Sequence, residues 1–189
     1  MPETLTAQTR RILLITLSNI GDAVLTTPVL EALHNKYPQA VMDIVTDARA
    51  SELFHHCPYR GNVFLKHKQL GWRGTLALVK QLRGRRYDLI VDLRTDGLTL
   101  LLRARRRLTR RGGKPAGRHA VARHFGVIRE REQLETIPPL HVWLTSVEHA
   151  YARQQLSGLP GQHWLALGPG ARWEGKCWPA DRITALENE

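Results

Sequence analysis

The sequence is poor in the residues that build disulfide frameworks and metal clusters. Of its 189 residues only two are cysteines, Cys57 and Cys177, and they lie far apart in the chain. This spacing fits neither a disulfide-stapled domain nor a zinc site, so it predicts free thiols in a reducing compartment. The adjacent histidines His55 and His56 point to different sides of a predicted helix, and we expect no metal site.

Long hydrophobic runs are absent as well. No apolar stretch approaches the roughly 18 residues that a membrane-spanning helix needs. Residues 1–8 are polar and lack the apolar core of a signal peptide, which predicts a protein that stays in the cytoplasm. A hydrophobic content of 42% and a charged content of 24% are typical of a soluble globular protein.

Acidic side chains are scarce in the middle of the chain. The net charge is +11, and residues 101–131 hold 11 basic side chains but only one acidic side chain. Such a cluster predicts a polyanionic partner, either nucleic acid, an anionic membrane surface or a phosphorylated substrate. The simpler alternative is a solvated basic loop without a partner. The candidate anion-binding residues are Arg105, Arg106, Arg107, Arg110 and Arg111.

The stretch that organises the chain comes near its beginning. Residues 12–17 form a short apolar run, which predicts a strand buried in a parallel sheet, and residues 18–22 supply a tight turn into a helix. Ser18, Asn19 and Gly21 would line an anion-accepting corner at the carboxyl edge of that sheet. Asp22 in this corner either caps the helix or serves a ligand. A single glycine does not make the G-x-G-x-x-G fingerprint of nicotinamide or flavin proteins.

Strand and helix patterns then alternate along the chain. This alternation predicts an α/β fold, a Rossmann-like doubly wound parallel sheet, whose carboxyl edge would carry Asp22, Asp92 and Asp96. The predicted strands are 12–17, 40–46, 62–65 and 87–93. The predicted helices are 23–37, 48–55, 72–82, 98–106 and 118–125. Pro28 is anomalous within the first of these helices, because proline removes a hydrogen bond there.

The last third of the chain has a different sequence pattern, which includes a linker. A strand is predicted at 140–144 and a helix at 145–156, and residues 157–161 are the best linker in the sequence. A further strand at 163–167, a glycine-rich turn and a helix from Pro179 would follow. We therefore predict a domain at 1–157, and in 158–189 a linker with the first βα unit of a second domain, too short to bury its own core.

Two sequence motifs, taken together, make the chain resemble a known protein family. The first, Leu-Ser-x-x-Gly-Asp-x-x-Leu-Thr-Thr-Pro, occupies residues 17–28, and the second, Pro-Gly-Ala-x-x-x-x-Lys-x-Trp-Pro, occupies residues 169–179. Paired in this order, they resemble glycosyltransferase family 9, the ADP-heptose heptosyltransferases of lipopolysaccharide core synthesis. The resemblance covers residues 11–189 almost continuously, although members of this family run to roughly twice this length.

The resemblance implies an architecture and a reaction. The expected fold is the N-terminal half of a GT-B glycosyltransferase, with the acceptor held by the first domain and the nucleotide-sugar by the second. An inverting enzyme would transfer heptose from ADP-heptose to the lipid A-linked inner core, without a cofactor or a required metal. Asp22 maps onto the family's general base and Lys176 onto its donor-phosphate lysine. Backbone N–H groups at Gly168, Gly170 and Ala171 would assist with the donor phosphates.

The resemblance also gives the basic cluster a partner, in the phosphates of the acceptor and an anionic membrane. The protein is therefore expected to be peripheral on the cytoplasmic face of the inner membrane. No specific nucleic-acid partner is expected on this interpretation. A second hypothesis is a truncated, non-catalytic anion-binding domain that associates with membrane or nucleic acid through its arginine-rich segment.

Overall fold

The structure of the protein is a computed structural model that describes residues 9–94, 97–111, 117–161, 164, 166–168, 170–171 and 173–187. Its strands are β1 (Arg11–Ile15), β2 (Val41–Thr46), β3 (Arg60–Leu65), β4 (Tyr87–Asp92) and β5 (Ala104–Thr109). Its α-helices are α1 (Ile20–Val24), α2 (Thr27–Lys36), α3 (Ala48–Ser51), α4 (Gly71–Arg83), α5 (Ala120–Arg129), α6 (Ser146–Ser157) and α7 (Ala180–Glu187). Short 3-10 helices lie at Glu52–Phe54, Lys68–Leu70, Leu98–Leu101 and Glu174–Lys176.

The strands form a parallel sheet of five strands in the order β3-β2-β1-β4-β5. From β1 the chain builds outward to β2 and β3, and then returns to the other side of β1 to form β4 and β5. The strand order therefore reverses between β1 and β4. This arrangement confirms the predicted α/β class and the doubly wound Rossmann-like sheet.

Helices cover both faces of the sheet, which explains the continuous apolar run in β1. On one face Leu14 packs in a core with Leu30 of α2 and Phe125 of α5. On the other face Leu13 packs in a core with Leu82 of α4. Because successive side chains of a strand point to opposite faces, each neighbour in β1 is buried by a different layer of helices. Full burial of each such side chain stabilises the fold by about 1.5–3 kcal/mol.

The single helix predicted at 23–37 is wrong, because the chain forms α1 and α2 with Thr26 at the joint. Pro28 lies in the first turn of α2, where the missing N–H would have no intrahelical partner, so it starts a helix and does not kink one. The Thr26 hydroxyl donates to the carbonyl of Ala23 at 2.6 Å and lies 2.6 Å from the Thr16 hydroxyl. The joint is therefore fixed against the end of β1.

The helix predicted at 98–106 is also wrong. Its second half is β5, which pairs in parallel with β4 along its whole length. Along β5, Arg106 and Leu108 are more buried than Arg105 and Arg107, which is the two-residue period of a strand. An edge strand accommodates so many arginines because one of its faces remains open to water.

The strand predicted at 140–144 is wrong as well, since residues 137–145 form neither helix nor strand. The backbone N–H of His141 donates to the Thr27 hydroxyl at 3.0 Å, and the Trp143 ring stacks on the His141 ring with centroids 5.7 Å apart. Of the apolar residues in this run, Trp143 packs against the core, whereas Leu140, Val142 and Leu144 are exposed. Part of the strand predicted at 163–167 lies outside the described residues.

A buried carboxylate joins β2 to β3 and β4. Asp43 is fully buried, and its Oδ1 accepts hydrogen bonds from the backbone and side-chain nitrogens of Asn62 at 2.8 and 3.0 Å. Its Oδ2 accepts from Arg85 at 3.1 Å and from the Tyr87 hydroxyl at 2.9 Å. A Cβ at Gly61 would lie 2.5 Å from Oδ1, so only glycine permits this close approach.

Three tyrosines make the stability of the fold sensitive to alkaline pH. Burial and the contact with Glu132 raise the pKa of Tyr37 to about 12. Burial raises the pKa of Tyr59, with Cys57 and Glu31 adding to the shift, and burial together with Asp43 raises the pKa of Tyr87. In the unfolded chain these phenols titrate near pH 10. Above that pH the native state therefore holds more protons than the unfolded state.

We expect the free energy of unfolding to fall steeply from about pH 10 upward. Each tyrosine contributes a slope of about 1.4 kcal/mol per pH unit once the unfolded chain has lost its phenol proton, and Tyr37 stops contributing near pH 12. Urea denaturation at successive pH values measures the slope. The Tyr37→Phe variant should show a shallower decline than the parent between pH 10 and 12. A stability that stays constant across that interval would contradict the prediction.

The chain divides into two compact units, Met1–Thr145 and Ser146–Glu189. The first contains the sheet, and the second contains α6 and α7. The division into 1–157 and 158–189 made from the sequence stays a prediction. Among the described residues, no helix combines the length and the apolar character that crossing a bilayer requires.

Candidate active site at the carboxyl edge of the sheet

The carboxyl ends of β1 and β4 lie side by side where the strand order reverses. Ile15 is in register with Asp92, and the backbone N–H of Leu93 donates to the carbonyl of Ile15 at 3.0 Å. The turns that follow these two strands therefore face the same crevice. In open parallel sheets, ligands bind in the crevice at such a reversal.

Asp22 lies in α1, directly after the turn that follows β1, and its side chain is exposed. Its Oδ2 accepts a hydrogen bond from the side-chain amide of Asn19 at 2.9 Å, although Asn19 makes no side-chain cap hydrogen bond to α1. Asp22 also lies in the first turn of α1, where a carboxylate complements the helix dipole, so its role as a ligand group stays a prediction. Ser18 is buried, while Gly21 is exposed with open space where a Cβ would lie.

His124 lies close to Asp22, and it is not among the site residues that the sequence predicts. It belongs to α5, which confirms the helix predicted at 118–125 with shifted bounds, and it is buried. Burial lowers the pKa of His124, Arg110 and Arg123 lower it further, and Asp22 acts in the opposite direction. Within the described part of the chain its Nδ1 has no hydrogen-bond partner. The packing of α5 brings this imidazole near both the carboxylate and Arg110.

A cavity of about 120 Å³ opens at the carboxyl ends of β4 and β5. Asp92 is fully buried there, in register with Thr109, and its Oδ1 accepts a hydrogen bond from the backbone N–H of Arg94 at 2.8 Å. Carboxylate, hydroxyl and guanidinium groups thus meet in one small space, and they are the groups that bind sugar hydroxyls and phosphates. The lining residues are Asp92, Gly97, Thr99, Leu100, Thr109 and Arg111. Asp96, also predicted at this edge, lies outside the described residues.

Arg106, one of the predicted anion-binding residues, has a partner inside the fold. It forms an ion pair and a hydrogen bond with Glu132, a carboxylate that is 1% exposed. Glu132 also accepts a hydrogen bond from the Tyr37 hydroxyl and lies 3.1 Å from Lys36 Nζ. This cluster ties β5 to α2, so Arg106 already has an ion-pair partner within the protein.

The remaining arginines of the predicted set divide into two groups. Arg107 donates from Nε and Nη2 to backbone carbonyls of the preceding loop at 3.0 and 2.6 Å, and Arg105 lies 3.8 Å from Asp88. Arg110 and Arg111 are exposed, and they lie near His124 and at the cavity respectively. Of the five arginines predicted to bind anions, only Arg110 and Arg111 therefore lie near the crevice.

The predicted donor-binding residues belong to the second compact unit. Gly168 and Gly170 are exposed, and open space surrounds the position of a Cβ at each. The backbone N–H of Ala171 lies 3.3 Å from Cys177 Sγ, to which it donates. Lys176 is exposed at the end of a 3-10 helix. Their assignment to the donor stays a prediction.

Comparisons with known proteins point to glycosyltransferases. No protein-family model matches the chain. Two curated relatives are both named lipopolysaccharide heptosyltransferase 3. One, from Escherichia coli strain K12, is 27% identical over 192 residues, and the other, from Escherichia coli, is 29% identical over 194 residues. Each alignment covers 88% of this chain and 56% of the relative, so the chain spans little more than half their length.

Solved structures show the same fold. A glycosyl transferase family 9 protein from Veillonella parvula matches with a TM-score of 0.73 at 20% identity, over 94% of this chain and 58% of that one. Escherichia coli ADP-heptose lps heptosyltransferase II matches with a TM-score of 0.65 at 22% identity, over 94% and 61%. Escherichia coli heptosyltransferase WaaC with ADP matches with a TM-score of 0.64 at 18% identity, over 94% and 63%.

The chain thus has the fold of these solved structures, which are GT-B glycosyltransferases. The chain is thus similar to curated heptosyltransferases in sequence and to a glycosyl transferase family 9 protein in fold, and both findings support the resemblance seen in the two motifs.

Proposed function

We propose that the protein supplies the acceptor side of an inverting glycosyltransferase that transfers heptose from ADP-heptose to the lipid A-linked inner core of lipopolysaccharide. The observation that carries this proposal is Asp22, an exposed carboxylate at the strand-order reversal of a heptosyltransferase-like fold. The similarity to two heptosyltransferases along 88% of the chain supports it.

In this reaction the acceptor hydroxyl oxygen bonds to the anomeric carbon from the face opposite the leaving group. Asp22 takes the hydroxyl proton, the bond between the anomeric carbon and the phosphate oxygen breaks, and ADP leaves with the electron pair. The Asn19 amide positions the Asp22 carboxylate through their hydrogen bond. Lys176 and the nearby backbone N–H groups would stabilise the charge on the departing pyrophosphate.

Acceptor phosphates are the proposed ligands of Arg110 and Arg111, the exposed arginines next to the crevice. Arg105, Arg106 and Arg107 would act indirectly, because their contacts hold β5 in place. The excess of basic charge also favours contact with an anionic bilayer, which on this proposal is the cytoplasmic face of the inner membrane.

Transfer is testable in a completed enzyme, defined as this chain joined to the C-terminal half of the Escherichia coli strain K12 relative. With ADP-heptose and a heptose-deficient lipopolysaccharide core, we expect release of ADP and an acceptor heavier by one heptose, both followed by mass spectrometry. The relative itself serves as the positive control. A completed enzyme that folds and binds ADP-heptose but modifies no such acceptor would contradict the proposed function.

A further inference from the structure

The outer side of α4 exposes a group of large apolar side chains, which we call the α4 surface. Its members are Leu70, Trp72, Leu76, Leu100 and Leu101, which are between 49% and 80% exposed. Trp72 and Leu76 are four residues apart in α4, so they lie on one side of the helix. Other residues of α4, namely Leu78, Val79 and Leu82, are buried against the sheet. The helix is therefore already packed on its inner side, and the outer apolar residues do not serve the core.

The 3-10 helix Leu98–Leu101 extends this surface. Leu98 and Leu102 are buried in the same core as the inner side of α4. Arg83, near the end of α4, donates from Nε to the carbonyl of Leu101 at 3.2 Å. The exposed leucines of this segment therefore belong to the same side of the sheet as Trp72.

The α4 surface is carried by two segments of the chain that contain no acidic residue. Residues 53–87 contain eight basic residues and no acidic one, and residues 97–111 contain six basic residues and no acidic one. Arg73, Lys80 and Arg83 are exposed on α4, and the Arg73 guanidinium lies 5.6 Å from the centre of the Trp72 ring. Apolar side chains that include a tryptophan, mixed with cations, suit the headgroup layer of an anionic bilayer.

We propose that the α4 surface docks the protein on an anionic lipid bilayer, with Trp72 and Leu76 inserted at the level of the headgroups. A second copy of the chain is a poorer occupant, because two surfaces rich in arginine and lysine would face each other. Nucleic acid would satisfy the cations but would leave the leucines without an apolar partner. A bilayer accepts both kinds of side chain at once.

Docking in this orientation has a consequence for the candidate active site. Leu100 belongs to the α4 surface and also lines the cavity that contains Asp92 and Arg111. The cavity would therefore lie at the membrane, where a lipid-anchored acceptor presents its sugars. This consequence rests on the proposed function, whereas binding to lipid alone does not require transfer. The two proposals can therefore fail separately.

The test is sedimentation of the 189-residue chain with vesicles. We expect binding to vesicles of equal parts phosphatidylcholine and phosphatidylglycerol, and little binding to phosphatidylcholine alone. The double variant Trp72→Ser with Leu76→Ser should weaken binding at least about tenfold. Replacing Arg73 and Lys80 by Gln should weaken it about fivefold per cation at low salt.

Lipids with brominated acyl chains should quench part of the tryptophan fluorescence, and this part should disappear in Trp72→Phe.

A matched control comes from α6, where Val147 and Tyr151 are also four residues apart and 74% and 63% exposed. Replacing both by Ser should leave vesicle binding unchanged. Equal binding by the α4 and α6 double variants, or no binding to anionic vesicles at low salt, would overturn the proposal. If the α4 double variant instead lost self-association in gel filtration, or binding to an oligonucleotide, the surface would belong to a second copy or to nucleic acid.

Discussion

Replacing Asp22 by Asn is expected to lower kcat for heptose transfer by the completed enzyme about 10²–10⁴-fold, with little change in KM. The asparagine side chain keeps the size of the aspartate, and its carbonyl can still accept the hydrogen bond from Asn19. It cannot take the proton of the acceptor hydroxyl. Because Asp22 is exposed, the free energy of unfolding should change by no more than about 0.5 kcal/mol.

Asp47 provides the matched control for this experiment. It follows β2 at the same edge of the sheet, and its Oδ1 caps α3 by accepting from the backbone N–H of Arg49. Asn is as good a cap as Asp, so Asp47→Asn should preserve both stability and turnover. If Asp22→Asn retained turnover within about threefold of the parent, the general base would have to be another group. The assignment to a glycosyltransferase fold would be unaffected by that result.

Replacing Asp43 by Ala is expected to destabilise the first compact unit by about 3 kcal/mol. The substitution leaves the Tyr87 hydroxyl and the Asn62 nitrogens without their acceptor, and it removes the ion-pair partner of Arg85. The cost lies at the lower end of the range for broken buried pairs, because the Arg85 side chain is 30% exposed and can be hydrated. Urea denaturation followed by far-ultraviolet circular dichroism measures it.

The comparison variant for Asp43 is Glu130→Ala, which removes an exposed carboxylate at the end of α5. This change should alter the free energy of unfolding by no more than about 0.5 kcal/mol. Equal stabilities of the two variants would show that the Asp43 hydrogen bonds contribute no net stability. The double variant Asp43→Ala with Arg85→Ala should recover part of the loss, because it also removes the Arg85 charge that Asp43→Ala leaves unpaired.

The sheet could be predicted from the sequence because its central strands are buried on both faces. Residues 12–17 and 87–93 read as continuous apolar runs, and burial on both faces makes such a run necessary in a parallel sheet. The same reasoning failed for β5, since its arginines resemble a solvated helix or loop. Its pairing with β4 depends on contacts such as that between Arg106 and Glu132, which are distant in sequence.

The position of Asp22 in the candidate site followed from the sequence, whereas its surroundings did not. A strand followed by a tight turn must place the next residues at the carboxyl edge, so the location of Asp22 required only local patterns. His124 and Thr109 reach that edge from segments far along the chain. No local pattern encodes such an approach, because it depends on how α5 and β5 pack against the sheet.

The sequence by itself determined the alternation of strands and helices, the resemblance in the two motifs and the excess of basic charge, because all three are properties of residues close together along the chain. The tertiary structure decided which arginines remain available, since pairing with Glu132 and Asp88 occupies some of them and leaves Arg110 and Arg111 exposed. It also decided that Trp72 and Leu76 remain exposed, because other residues of α4, Leu78, Val79 and Leu82, fill the core.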